Sequence, residues 1–259
     1  MAKLGYGKAV AATDADMSRL ADDLKCHPAD LEAIAQVESS GFGWFADGRI
    51  KILFEKHWFY KLIPDGARSN ATKNGLARKN WISPKNGGYK DQASPEDRYK
   101  LLERALKVDR EAAFQSVSVG TFQIMGFNHK ICGHQTAEGM FNAFCESEVY
   151  QLTAFAGFLS NKGLLPAIRA RDFAKVEEVY NGGGLNGEYA ARMRKASDKL
   201  RAGKWKDYKS GQSGSRLPSG TPSAPVTPKP VTPEPVTQKP ETGGWSAFWS
   251  AVIALFNRK

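Results

Sequence analysis

Apolar residues recur at three- and four-residue spacing along most of the first 209 positions, the pattern of amphipathic helices. It predicts helices over Asp14–Cys26, Pro28–Ser39, Pro95–Val108, Glu138–Ser160, Asp172–Tyr180 and Tyr189–Ala202. Between Phe42 and Glu55 the period changes: Ile50, Ile52 and Phe54 alternate, and Asp47-Gly48 is a tight-turn dipeptide, which together predict one small β-hairpin. The expected fold is a mostly α domain with a small β element. Phe122, Ile124, Met125, Phe141, Phe144, Leu152, Phe155 and Phe158 are its expected core.

The pattern stops at about residue 210. Eight of the thirteen prolines fall in 210–244, where PVTPK, PVTPE and PVTQK repeat, so an extended polyproline II spacer is expected there. The chain then ends in WSAFWSAVIALFNRK. On a helix, Trp245, Phe248, Trp249, Val252 and Phe256 make one apolar stripe opposed by Ser246, Ser250 and Ala254. Such a helix is about 22 Å long at ~1.5 Å per residue, short of the ~30 Å hydrocarbon core of a bilayer. An interfacial position on an anionic membrane or outer-membrane surface is therefore expected for Trp245 to Lys259, with docking on the domain or self-association as the alternative. The domain reading is 1–209 globular, 210–244 linker and 245–259 amphipathic helix.

Composition narrows the classes. A chain of 259 residues with 41% hydrophobic and 25% charged residues can bury a substantial core, which excludes disorder throughout. A mean hydropathy of −0.46 and no apolar run of about 18 residues exclude a polytopic membrane protein. The opening MAKLGYGKAVAATDADM has no apolar stretch after its lysines, so synthesis in the cytoplasm without a secretory signal is expected. Three cysteines, Cys26, Cys132 and Cys145, are read as thiols. The net charge of +10 is concentrated between Arg192 and Arg216, where nine bases face two acids. That patch favours a polyanionic partner: nucleic acid, anionic lipid or an acidic wall polymer. No helix-turn-helix, zinc-finger or aromatic-sheet signature accompanies it, so nucleic acid is not an expected partner. His129, Cys132 and His134 match no zinc-ligand pair, and neither a metal nor a cofactor is expected. No cysteine sits in a polar helix start that would make it a nucleophile.

Glu38 stands out for chemistry. In PADLEAIAQVESSG it shares a helix face with Leu31, Ile34 and Ala35, and it lies in the last turn, at the negative end of the helix dipole. Desolvation and the dipole both favour its protonated form, as a general acid requires. The alternative is a Glu turned to the rim and paired with a base. Asp47 at the hairpin tip is a candidate second carboxylate, or simply the turn residue it resembles. Glu55, ending ILFE beside His57, either lines a cleft or caps a helix starting near Lys56.

VESSG, DGRIKILFEKH, SVSVGTFQIMGFNH, SEVYQLTAFAGFL and YNGGG occur in this order between Val37 and Gly184. Together they resemble the phage-type N-acetylmuramidases found as bacteriophage endolysins, within the lysozyme-like superfamily. The resemblance implies an α+β lysozyme-like fold and cleavage of the β-1,4 bond between N-acetylmuramic acid and N-acetylglucosamine in peptidoglycan. Glu38 is then the general acid. Asp47, Glu55, Ser118, Gln123, Tyr180 and Asn181 become substrate-binding candidates, the last four through neutral amide, hydroxyl and phenol groups. Tyr180 could instead be a core aromatic and Asn181 a helix cap. A monomer acting on the wall after release, or from outside, completes the expectation. Two alternatives stay open: a lytic transglycosylase on the same bond, and a non-enzymatic protein that binds wall or membrane through its basic patch and tail.

Overall fold

Pro28 at the first helical position starts a helix whose entry is fixed by His27, its Nδ1 accepting the Ala29 N–H at 3.2 Å. That helix, α2 (Pro28–Glu38), is the centre of the computed structural model, which describes residues 3–39, 41–181 and 187–211. Nine of its eleven residues are buried, so it is covered nearly all round rather than on the single face that periodicity predicts. It is flanked by α1 (Asp14–Leu24), α9 (Leu165–Arg169) and above all α11 (Glu188–Ala202). Asp30, 1% exposed, is held by Ser197 and Arg201 of α11, with the Arg171 guanidinium 3.4 Å away. A buried acid in the first turn thus locks the central helix to the last one.

The remaining helices are α3 (Lys56–Leu62), α4 (Asp65–Lys73), α5 (Pro95–Leu106), α6 (Arg110–Gln115), α7 (Ala137–Glu146), α8 (Glu148–Asn161) and α10 (Phe173–Asn181). The single helix expected over Glu138–Ser160 is two. Ser147 takes an extended conformation at the break, its N–H bonding Ala143 O to close α7 and its Oγ accepting the Val149 N–H to open α8. Of the eight expected core residues, seven are buried; Phe158 is half-buried against the same core.

The β element also differs from the expected hairpin. Trp44 and Ile50 do form an antiparallel bridge around the Asp47-Gly48 turn. Ile52–Phe54 (β1), however, pairs with Val117–Val119 (β2), which turns back on Ile124–Met125 (β3), giving an antiparallel sheet in the order β1-β2-β3. Leu53 is buried along with Ile52 and Phe54, so β1 has no solvent face. Its outer edge is closed by side chains. The fully buried Gln92 amide accepts from Phe54 N and donates to Phe54 O, both at 2.8 Å, while Arg98 donates to Ile52 O at 3.1 Å. Side-chain groups take the bonds another strand would make. Burial pushes the Arg98 guanidinium down to about 10.

The stretch after α11 folds back on the helical side. Trp205 is buried and donates its indole N–H to Glu32, Lys204 bridges Asp14 and Glu32, and Tyr208 donates to Asp22. The expected linker from residue 212 and the helix at 245–259 lie outside the described residues. Among the described residues no helix is long and apolar enough to cross a membrane, and no group of three or more His, Cys, Asp or Glu could hold a metal ion. All three cysteines are buried free thiols, and burial raises Cys132 and Cys145 to about 12.

Candidate functional site

Glu38 is the last residue of α2 and is 1% exposed. No basic residue occupies the last turn of that helix to offset the negative dipole end. The chain leaving Glu38 passes Ser39 and, at Gly43, meets the sheet. There the Lys51 N–H donates to Gly43 O at 2.8 Å, and the Gly120 N–H donates to Lys51 O at 2.9 Å. Lys51 therefore joins the exit from Glu38 to the β2–β3 turn.

Ser118, on β2, and Gln123, in that turn, lie together, both buried. Ser118 donates its hydroxyl to Gln123 Oε1 at 2.8 Å, and Gln123 Nε2 donates to Gly120 O at 2.7 Å. Gln123 has a positive φ of 47°, a left-handed conformation that a non-glycine residue adopts only where its surroundings hold it there. Its amide is engaged inside the turn, so in this structure it fixes the turn from beneath.

The two other acidic candidates are engaged by neighbouring side chains. Asp47 is exposed at the hairpin tip, where Oδ1 accepts the Arg49 N–H at 3.0 Å and Oδ2 takes Arg49 Nε at 2.8 Å. Partial burial alone would raise its carboxyl, but the Arg49 hydrogen bonds and charge hold it below the ordinary Asp value. Glu55 is fully buried. It precedes α3 without making a side-chain cap, and both its oxygens take the Tyr89 hydroxyl, with His57 Nδ1 3.2 Å from Oε2. Glu55 thus stands at the N-cap position of the helix that starts at Lys56, as one of the two readings from sequence had it, but its carboxylate turns to Tyr89 instead of making a cap bond.

Tyr180 and Asn181 close α10; their side chains lie outside the described residues. Just before them, Glu177 accepts the N–H groups of Gly187 at 3.0 Å and Ala190 at 2.7 Å, so the α10 carboxylate anchors the start of α11. Sequence reading passed over this residue, as it did two others in α8. Gln151 Oε1 accepts the Thr121 N–H at 2.6 Å, and Glu148 accepts from Thr121 Oγ1 at 3.1 Å and Ala12 N at 3.0 Å. The polar residues of SEVYQL are thus the clamp for the turn in SVSVGTFQIM. Polar positions on an otherwise apolar helix were the available signal for Gln151. Beside this clamp, a groove of about 190 Å³ is lined by Glu32 and Gln36 of α2, Ser39 just after it, and Thr13, Phe122 and Glu148.

No curated protein matches the chain. The crystal structure of the Burkholderia AP3 phage endolysin is similar, with a TM-score of 0.62 and 33% identity over 74% of this chain and 71% of that one. Residues 27–201, from the cap of α2 to the arginine that holds Asp30, match the family model described as Muramidase, N-acetylmuramidase. By that match over most of its length and by its likeness to the endolysin, the chain belongs to the N-acetylmuramidase family of peptidoglycan-degrading phage enzymes.

Proposed function

We propose that the protein is an endolysin-type muramidase that hydrolyses the β-1,4 bond between N-acetylmuramic acid and N-acetylglucosamine, with Glu38 as the general acid. The observation that carries this reading is the burial of the Glu38 carboxyl at the negative end of α2, whose own last turn holds no base. Burial favours the neutral, proton-bearing form of a carboxyl. Its proton passes to the glycosidic oxygen as the bond to the muramic C1 breaks, converting a poor leaving group into an alcohol while oxocarbenium character develops; water then bonds to C1, and the proton it gives up restores the Glu38 acid. Tyr180 and Asn181 bind the N-acetyl and hydroxyl groups of the sugars, while Ser118 and Gln123 serve by holding the turn. The enzyme works as a monomer, is made in the host cytoplasm and reaches the wall after release. The Pro-rich spacer lets the helix at 245–259 engage an anionic membrane meanwhile.

A second reading has its own support: Asp47 is engaged by Arg49 and Glu55 by Tyr89, so neither is presented as a base for water. In a lytic transglycosylase the sugar's 6-hydroxyl attacks C1 and returns its proton to the Glu38 carboxylate, and no second carboxylate is needed. The masses of muropeptides released from purified wall decide between them. Hydrated reducing ends support hydrolysis, and products lighter by one water support the transglycosylase.

A further inference from the structure

We propose that Gln151 is a positioning residue for this reaction: it seats the β2–β3 turn against the chain leaving Glu38 and so sets the geometry of the general acid. The inference rests on the reading of Glu38 above. Gln151 is fully buried on α8, far from Glu38 in sequence, with its two amide atoms facing different elements. Oε1 accepts the Thr121 N–H at 2.6 Å, and Nε2 donates to Phe144 O at 3.0 Å, on α7. The same Oε1 lies where two backbones converge. A Cβ at Gly120 would stand 2.4 Å from it, and one at Gly43 2.8 Å from it and 2.6 Å from Thr121 Oγ1. Only glycines allow this approach, and Gly120, with φ +77°, also needs glycine for its conformation.

The contacts form a closed loop. Gly43 comes five residues after Glu38 and is tied to Lys51, Lys51 is tied to Gly120, and Gln151 holds the next residue, Thr121, while packing on both glycines. Shifting the Gln151 amide moves the acid-bearing helix exit and the turn relative to each other. A misplacement on the ångström scale is costly when a proton must be delivered at hydrogen-bond distance.

The experiment uses the full chain with Gln151→Glu and Gln151→Met, soluble glycan fragments from purified wall, and kcat and KM followed from pH 4.5 to pH 8. Melting is recorded for each so that rates refer to folded enzyme. A protonated carboxyl reproduces both hydrogen bonds, its carbonyl oxygen accepting from Thr121 N and its hydroxyl donating to Phe144 O. Ionised, it turns a negative charge on that carbonyl. Glu148, one turn earlier and also bonded to Thr121, is the ionisable neighbour and adds its own repulsion to that charge. Gln151→Glu should therefore keep kcat within about threefold of the parent at the acid end and lose about tenfold or more as the pH rises, with KM changing less than threefold. Gln151→Met should be depressed in kcat at every pH. A Gln151→Glu profile that superimposes on the parent's overturns the proposal, even if the Met variant fails to fold. So does a folded Gln151→Met with kcat within twofold of the parent. Glu38→Gln measured alongside separates the two claims: if it stays active, the acid assignment fails whatever the Gln151 variants do.

Discussion

The Tyr89 hydroxyl lies 2.8 Å from Oε2 and 3.0 Å from Oε1 of Glu55, and it accepts the Trp81 indole N–H at 2.9 Å. Burial, reinforced by the adjacent carboxylate charge, holds the phenol well above its ordinary value, so it stays a hydrogen-bond donor. Tyr89→Phe leaves the fully buried Glu55 without that donor. The expected cost is about 1–3 kcal/mol of stability, a few degrees of Tm per kcal/mol, with wall-clearing activity within about threefold of the parent. Thermal melting and turbidity assays check this; an unchanged Tm would mean the bond contributes nothing.

Asp47→Asn should be nearly silent in catalysis, within about threefold, because the carboxylate already belongs to Arg49. Its lowered value fixes the pH sense. The stabilisation it gives the hairpin is present above the ordinary Asp range and is lost as the pH falls through the lowered value, in strongly acid solution. A hundredfold loss of activity in the Asn variant at neutral pH would return Asp47 to the chemistry.

The basic stretch divides into working and structural charges. Arg194, Arg201 and Lys204 bond Arg171 O, Asp30 and the Asp14–Glu32 pair, whereas Arg192, Lys195, Lys199, Lys206 and Lys209 are exposed. Replacing Lys195, Lys199, Lys206 and Lys209 by Gln should flatten the salt dependence of wall binding, since exposed charges are screened over about 8 Å at physiological ionic strength. Activity on small soluble fragments should be unchanged. A pull-down on purified wall across a salt series tests it, and an unaltered series would make the patch a solubilising face.

How much of this could be read from the sequence depends on the range of the interactions. The position of α2 was legible because its signals are local: Pro28 at the start, and a run of apolar residues ending in Glu38. The break at Ser147 was not, because the apolar periodicity of α7 continues in phase into α8; the Ser-Glu at 147–148 was the cap signal available. α4, with only Ala71 buried, has too little apolar pattern to be seen. β2 and β3 are only three and two residues long and buried throughout, too short for their pattern to mark them as strands. The site followed the same rule. Glu38 was legible from one helix, but the withdrawal of Glu55 beneath Tyr89 and the Gln151 clamp on Thr121 join residues 34 and 30 positions apart.

The tail is tested by ending the chain at Gly211, which keeps the bonds that Tyr208, Ser210 and Gly211 make to Asp22. The shortened protein should clear purified wall like the full chain and lose co-sedimentation with vesicles containing anionic lipid, the behaviour of an interfacial aromatic helix. Equal vesicle binding by both would refute a membrane role for the segment from Trp245 to Lys259.

Glu38→Gln bears most directly on the central claim. The substitution preserves shape and removes the transferable proton, so the protein should fold and melt close to the parent while turbidity loss of purified cell wall slows by about 10²-fold or more. A folded Glu38→Gln protein that clears wall within about threefold of the parent rate would contradict the assignment of Glu38 as the general acid.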